Sequence, residues 1–353
     1  QVEFGAPWQV SRKMAKAMEL DFFASTDHSY DLDDALDNFL VNDPKLPKWD
    51  ILWNETKTLN DQDSSFVILP GEEVSAGNHK NQNVHFLVLN NREFFSGWGD
   101  SAEQWLRTKP QHQISDILKN LQAHALSFAA HPELKPPWLQ KLLLRRGIWE
   151  DQDYRQAGLH GVQFWNGDTE QFLKTGLRKW IDLLLQGRQL TLIAGNDAHG
   201  SFNRFRQIGT PHINMREHHN EVFGKVRTGV FMREPFSQKS LIEALQKGRV
   251  VVSDGPIVSF RMRQEEKTYE IGQTMSSQTA IFSVDASSTP TFGELISVTL
   301  VMGSLADKKE TQRPLLQSLG LFQFTHKEVI NELPAPGYVR LEAVSQIDKR
   351  RYY

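Results

Sequence analysis

The sequence contains no cysteine among its 353 residues. Disulfide bonds and thiolate metal ligands are therefore excluded, and any metal would have to be held by His, Asp and Glu side chains. No apolar run approaches the roughly 18 residues that a membrane-spanning helix needs, so we expect no membrane span. The sequence also lacks a block of basic residues, and its formal net charge is -3. Nucleic acid is for this reason not an expected partner.

The length of the chain allows one large domain and a smaller second one. Helix-like and strand-like patterns alternate up to about residue 256, after which strand-like runs with turn residues between them dominate. We therefore predict an α/β barrel at residues 1–256 and an antiparallel β-sandwich at residues 257–353. The sequence begins with Gln1 rather than Met, so it does not separate a cytoplasmic protein from an exported one.

The first functional signal is an apolar run, Leu190 to Ala194, that breaks at Gly195 and then presents Asp197 and His199. Because one residue separates them, both side chains would point the same way in an extended chain. A carboxylate and an imidazole on one side of a strand end suit zinc, manganese or iron. For one such pair alone, a solvated turn after a core strand would be the simpler interpretation.

The same arrangement recurs along the chain. Apolar runs end at His28, Glu73 and His131, and a further apolar run begins with His85. Helix-like stretches separate several of these runs, which is the layout of a barrel with its site at the strand ends. A single histidine is more commonly a hydrogen-bonded core or surface residue, but folding does not require His or Asp at so many strand ends. The predicted metal ligands are His28, Glu73, His85, His131, Asp197 and His199.

Three further residues have weaker signals. Asp27 precedes His28, and we expect it to hold an imidazole in the required tautomer rather than to bind metal itself. Asn166 could hydrogen-bond to a substrate or cap the turn before Gly167. Arg204 could pair with an anionic substrate, although exposed arginines often have no such specific role.

The motifs that contain these residues resemble those of the PHP (polymerase and histidinol phosphatase) superfamily, in order, over residues 1 to about 250. The end of the α/β region and the β-rich tail are similar to the CehA/McbA (carbaryl hydrolase)-like branch. The resemblance implies a distorted (β/α)7 TIM-like barrel with an appended all-β domain, two or three divalent metal ions, and hydrolysis of phosphate, carboxyl or carbamate esters. The matching stretches are T-D-H at 26–28, G-E-E at 71–73, His85, A-H-P at 130–132, D-A-H at 197–199, A-L-Q-K-G-R at 244–249 and S-D-G-P at 253–256.

Two features depart from the pattern of the family. The family opens with an H-x-H motif well before T-D-H, and no room for it exists ahead of residues 26–28. Asn196 stands where the family usually has serine. We expect the sequence to be a clipped form of a longer protein that includes the H-x-H pair.

The resulting hypothesis is metal-assisted hydrolysis of a small-molecule ester, with a phosphoester as the first choice. Metals held by Glu73, His131, Asp197 and their neighbours would lower the pKa of a bridging water and give a hydroxide nucleophile. A carboxyl ester or carbamate hydrolase would use the same residues and remains an alternative. A second alternative is a non-catalytic protein that binds metal or a glycan, which the absent H-x-H favours and the six other ligand positions oppose.

Overall fold

The computed structural model describes residues 5–99, 109–167, 170–200, 207–210, 213–216, 221–317 and 320–353. Within these ranges the protein has a mixed α/β part followed by an antiparallel β part, as the sequence patterns predicted. The helices are α1 (Trp8–Ala17), α2 (Ser29–Leu32), α3 (Pro47–Gln62), α4 (Ile114–Lys119), α5 (Trp138–Leu143), α6 (Asp151–Tyr154), α7 (Glu170–Leu185) and α8 (Gln238–Gln246).

Most strands of the first part coincide with short apolar runs of the sequence. They are β1 (Phe22–Ala24), β2 (Asp27–His28), β3 (Asp34–Ala35), β4 (Asn38–Asn42), β5 (Val67–Leu69), β6 (Gly71–Gly77), β7 (Asn83–Leu89), β8 (Leu126–Ala129), β9 (Gly161–Asn166), β10 (Thr191–Gly195), β11 (Gln207–Thr210), β12 (Ile213–Arg216), β13 (Arg227–Val230) and β14 (Val250–Ser253).

The central sheet has six strands in the order β10-β9-β8-β7-β6-β2. The pairs β2–β6, β8–β9 and β9–β10 are parallel, whereas β7 is antiparallel to both of its neighbours. The reason is the short connection at residues 78–82, which joins β6 to β7 as a hairpin and leaves no room for a crossover helix. As a result, the start of β7 lies at the same sheet edge as the ends of β6 and β8.

The predicted closed barrel is not seen in the described part of the chain, where the six-stranded sheet has open edges at β10 and β2. Pro70 separates β5 from β6, because proline has no N–H to donate to a strand ladder, and β5 pairs with β1 in a separate parallel pair. Strand β10 meets β13 through the hydroxyl of Thr228, which donates to Ala194 O and accepts from Ala194 N, both at 2.9 Å. The structure is therefore an open mixed sheet flanked by two-stranded pairs.

Helix α7 covers one face of this sheet. Its apolar residues recur at helical spacing, and the helix ends shortly before Gly187, which lies in the left-handed region at φ 79°. Leu173 and Leu183 are buried in the same hydrophobic cluster as Val162 and Phe164 of β9. This packing fixes β9 and, next to it, the end of β10.

The second part of the chain consists of two four-stranded antiparallel sheets. Their inner faces share one hydrophobic cluster, in which Phe282 and Val284 of one sheet meet Val298 and Leu300 of the other. The sheets are β16-β15-β17-β20 and β19-β18-β21-β22, with strands β15 (Ile257–Gln264), β16 (Lys267–Glu270), β17 (Ala280–Ser287), β18 (Glu294–Ser304), β19 (Lys309–Leu316), β20 (Gln323–Ile330), β21 (Gly337–Ile347) and β22 (Arg350–Tyr352).

Candidate metal centre

Glu73 lies where three strands of the central sheet bring histidines together. The parallel pairing of β2 with β6 sets His28 beside Glu73, and His28 Nδ1 is 3.1 Å from Glu73 Oε2. In the β6–β7 hairpin His85 pairs with Ser75, two residues beyond Glu73, so both side chains lie on one face of the sheet. His85 Nδ1 is 2.8 Å from Glu73 Oε1.

His131 joins this group from the end of β8. Ala130 N donates to His85 O at 3.2 Å, which continues the β7–β8 pairing up to the histidine. His131 Nε2 then lies 3.1 Å from Glu73 Oε1 and 3.2 Å from His85 Nδ1. The antiparallel course of β7 thus explains how a histidine at the start of one strand meets histidines at the ends of others.

The ligand atoms of His28, Glu73 and His85 lie within 4.8 Å of one another, so these three residues could hold a metal ion. One carboxylate and two imidazoles are a donor set typical of zinc and of other first-row transition metals. His131 is close enough to add a further imidazole. All four side chains are at most 11% exposed, so the group is shielded from bulk water.

Electrostatics also favour a cation at this position. Burial opposes ionisation of Glu73, but the attraction of His85 and His28 and a hydrogen bond with His131 outweigh it and hold the pKa of Glu73 well below its ordinary value. The carboxylate is therefore ionised because positive charge on the neighbouring histidines offsets its burial. A divalent cation would supply that charge while the histidines bind it as neutral ligands.

Asp197 and His199 lie beside this group and not within it. Asp197 Oδ1 is 3.8 Å from His199 Nε2, and the ring of His199 is 6.0 Å from the ring of His28 between centroids. Asn166 Nδ2 donates to Asp197 Oδ2 at 3.3 Å. The structure thus brings all six predicted ligands to one region, but it places Asp197 and His199 at its side.

Two of the predicted ligands have unusual backbone conformations. His131 has φ 27° and Asp197 has φ 50°, a region that L-residues rarely adopt. Backbone strain of this kind is concentrated at functional sites, where the surrounding packing maintains it.

The prediction that Asp197 and His199 point the same way assumed an extended chain. This assumption was wrong, because β10 ends at Gly195.

The weaker predictions have mixed outcomes. Asp27 accepts a hydrogen bond from Ser25 Oγ at 2.9 Å, and its role in orienting an imidazole stays a prediction. Asn166 is bound to Asp197, so its amide orients a predicted ligand, and contact with a substrate stays a prediction as well. Arg204 lies outside the described residues.

Sequence reasoning missed Arg146 and Gln163. The Arg146 guanidinium donates to His85 Nε2, on the side of the ring away from Glu73. Gln163 Oε1 accepts from His131 N, and its Nε2 donates to Asn166 Oδ1, each at 3.4 Å. Gln163 could have been found in the sequence, because it is a polar residue inside the apolar run of β9. Arg146 follows Arg145 in a basic stretch that looks like an ordinary solvated loop.

Two buried acids, Glu72 next to Glu73 in β6 and Asp33 after α2, have pKa values raised by burial. Glu72 is fully buried and accepts hydrogen bonds from Ser29 Oγ at 2.8 Å and Phe95 N at 3.1 Å. Burial raises the pKa of Glu72 to about 8. Burial, together with the neighbouring Asp34, raises the pKa of Asp33 to about 7. These acids add less negative charge at neutral pH than the sequence alone would indicate.

Comparison of the chain with protein-family models, with curated proteins and with solved structures found no match in any of the three. In the described residues, no helix has both the length and the apolar character needed to cross a membrane. A functional interpretation therefore depends on the geometry of the histidine and carboxylate group itself.

Proposed function

We propose that the protein is a metal-dependent hydrolase of the PHP type that acts on a small-molecule ester. The observation that carries the proposal is the convergence of His28, His85 and His131 on the ionised, buried Glu73. Such a group has no role in hydrophobic packing, and its formation requires four neighbouring strands, β2, β6, β7 and β8, to bring polar side chains together. The proposal includes a PHP-type barrel, in which the β1–β5 and β13–β14 pairs flank the six-stranded sheet.

Glu73, His28 and His85 would hold one metal ion, and His131, Asp197 and His199 would complete a centre of two or three ions. Zinc, manganese and iron suit these nitrogen and oxygen donors better than magnesium does. Ions of this kind lower the pKa of a water molecule and polarise the oxygen of an ester. Asn166 and Gln163 would keep Asp197 and His131 in position through their hydrogen bonds.

Arg146 favours a phosphoester over a neutral ester. Its guanidinium donates to His85 Nε2, so a fixed positive charge lies one imidazole ring away from Glu73, where it would attract an anionic substrate. Guanidinium groups bind phosphate oxygens in a paired geometry and stabilise charge that develops on them. A carboxyl ester or a carbamate has less negative charge for Arg146 to bind. Trp165 of β9 is 1% exposed, so it offers no open face to an aromatic leaving group.

Elemental analysis of the purified protein, with Zn, Mn and Fe counted per chain, tests the proposal. We expect bound metal in the natural protein and its loss in Glu73→Gln, because the amide removes the charge that the metal neutralises. Glu72→Gln is the matched control, since Glu72 is adjacent and buried but bonds to Ser29 and Phe95 instead. Circular dichroism shows whether both variants are folded.

Hydrolysis assays then distinguish the substrates. A model phosphodiester and a naphthyl ester are offered to the metal-loaded protein in parallel, and we expect turnover of the phosphodiester to be the faster and to be lost in Glu73→Gln. Faster turnover of the naphthyl ester would favour the carboxyl ester or carbamate alternative. A folded natural protein without metal would support the non-catalytic binding protein instead.

A further inference from the structure

The segment between His131 and Arg146 exposes an apolar surface. Trp138 is 74% exposed and Leu142 is 69% exposed, and none of the six described residues of α5 is buried. Single exposed apolar residues are common on proteins, but a contiguous group of large ones usually marks an interaction site. The exposed large apolar residues of this segment are Leu134, Trp138, Leu139, Leu142 and Leu143.

Four of these residues form one continuous surface, which we name the α5 face: Trp138, Leu139, Leu142 and Leu143. Trp138 lies one turn from Leu142, and Leu139 lies one turn from Leu143, so each pair shares a side of the helix. The two pairs are adjacent around the helix, whereas Lys141 points away from their centre. An apolar stripe with a lysine on the polar side of the helix is typical of helices that lie in a membrane interface.

The surrounding structure holds this face outward. Pro132 and Pro136 are buried before the helix, and Trp149 is buried after it. Inside the segment, Gln140 O accepts from Leu144 N at 2.9 Å and from Arg146 N at 3.3 Å, which closes the turn after the helix. The apolar residues are thus exposed in a folded, anchored segment.

The charges around the α5 face indicate the kind of partner. Residues 133–146 contain one acidic residue and four basic ones, in a chain whose net charge is -3. A second copy that bound through the same face would bring like charges together, which costs free energy. An anionic lipid surface provides both an apolar layer for the leucines and negative headgroups for the basic residues. The basic residues available to headgroups are Lys135, Lys141 and Arg145, since the Arg146 guanidinium is bound to His85.

We propose that the α5 face docks the protein peripherally on membranes that contain anionic phospholipids. Trp138 and the leucines enter the boundary between headgroups and acyl chains, and Lys135 and Lys141 contact the headgroups. Because His131 and Arg146 bracket the segment, docking brings the candidate metal centre near the lipid surface. The docking itself does not depend on hydrolase activity, so the two proposals fail or hold separately.

Cosedimentation of the full chain with vesicles tests the proposal. Vesicles of phosphatidylcholine alone are compared with vesicles that also contain phosphatidylglycerol. We expect binding to the anionic vesicles, a blue shift of tryptophan emission, and weaker binding at high salt. The double variant Trp138→Ser/Leu142→Ser should lower the affinity at least about tenfold, because two large apolar side chains no longer enter the interface. Lys141→Glu should weaken binding at low salt.

Matched controls lie on the β-sheets of the second part. Val329 is 56% exposed and Lys309 is exposed, so Val329→Ser and Lys309→Glu make the same kinds of change elsewhere, and neither should alter binding. No binding by the natural protein, or equal losses in the controls, would overturn the proposal. So would a dimer in solution that the double variant abolishes while vesicles have no effect, because the α5 face would then bind a second copy.

Discussion

At the residue scale, Glu73 depends on partners from β2, β7 and the end of β8. Each of these partners could be found in the sequence, because a histidine next to an apolar strand has a recognisable position. Arg146 could not be found in this way. Its contact with His85 depends on the path of the chain after α5, where no periodic pattern constrains the fold.

Asp33 allows the effect of burial on the ionisation of one side chain to be measured. Burial and the neighbouring Asp34 raise its pKa to about 7, so the folded protein keeps a proton that the unfolded chain releases near pH 4. The contribution of Asp33 to the free energy of unfolding should therefore be fully present below about pH 4 and be lost as the pH rises through 7. Between pH 5 and pH 8 this effect should lower the free energy of unfolding of the natural protein by about 2 kcal/mol. Asp33→Asn should abolish this part of the decrease.

Urea unfolding at a series of pH values measures this difference. Asp37→Asn, a change at an exposed acid in the same region, should follow the pH dependence of the natural protein. If Asp33→Asn also follows it, then Asp33 is ionised in the folded state at neutral pH and its environment is more polar than the structure indicates.

At the scale of elements, Gly176 determines how closely α7 approaches β9. In most helix interiors Gly→Ala stabilises by about 1 kcal/mol. Here the added Cβ would lie 2.1 Å from Phe164 O, so α7 would have to move away from the sheet. We expect Gly176→Ala to destabilise the protein by about 1–3 kcal/mol in urea unfolding. Thr175→Ala, at an exposed position of the same helix, should be neutral or stabilising, and a stabilised Gly176→Ala would contradict the packing.

The elements differ in how far the sequence predicted them. The apolar spacing in α7 and its glycine stop were sufficient to predict the helix, whereas the β6–β7 hairpin was not anticipated. Strand β6 is buried although it contains Glu72, Glu73 and Ser75, and β7 is a nearly continuous buried apolar run. Because both faces of these strands are covered, neither run has the alternation that shows which face is solvated. Such runs indicate strands but do not indicate whether neighbours are parallel or antiparallel.

At the scale of the whole molecule, the described residues contain separate hydrophobic clusters in the α/β part and between the two antiparallel sheets. The change in sequence pattern near residue 257 predicted this change of architecture. Local sequence patterns do not predict whether a sheet closes into a barrel. Closure depends on pairings such as β1 with β5, which join distant parts of the chain. The domain division at residue 256 stays a prediction.

Leu300→Ala tests that division. Leu300 is fully buried between the antiparallel sheets, and its truncation should cost about 2–5 kcal/mol. All nine tryptophans precede residue 181, so their fluorescence follows the first part alone, while far-ultraviolet circular dichroism follows both. We expect the variant to unfold in two steps, the earlier of which is visible by circular dichroism and silent in fluorescence. Coincident transitions would instead show one cooperative unit.

The hairpin of β6 and β7 also has a consequence for the order in which the centre assembles. Glu73 and His85 lie on its two strands, so their contact requires closure of a short loop, whereas β2 and β8 come from more distant parts of the chain. A newly synthesised chain would thus possess half of the centre before the sheet is complete. A metal ion captured at that stage would act as a template for the docking of the remaining strands.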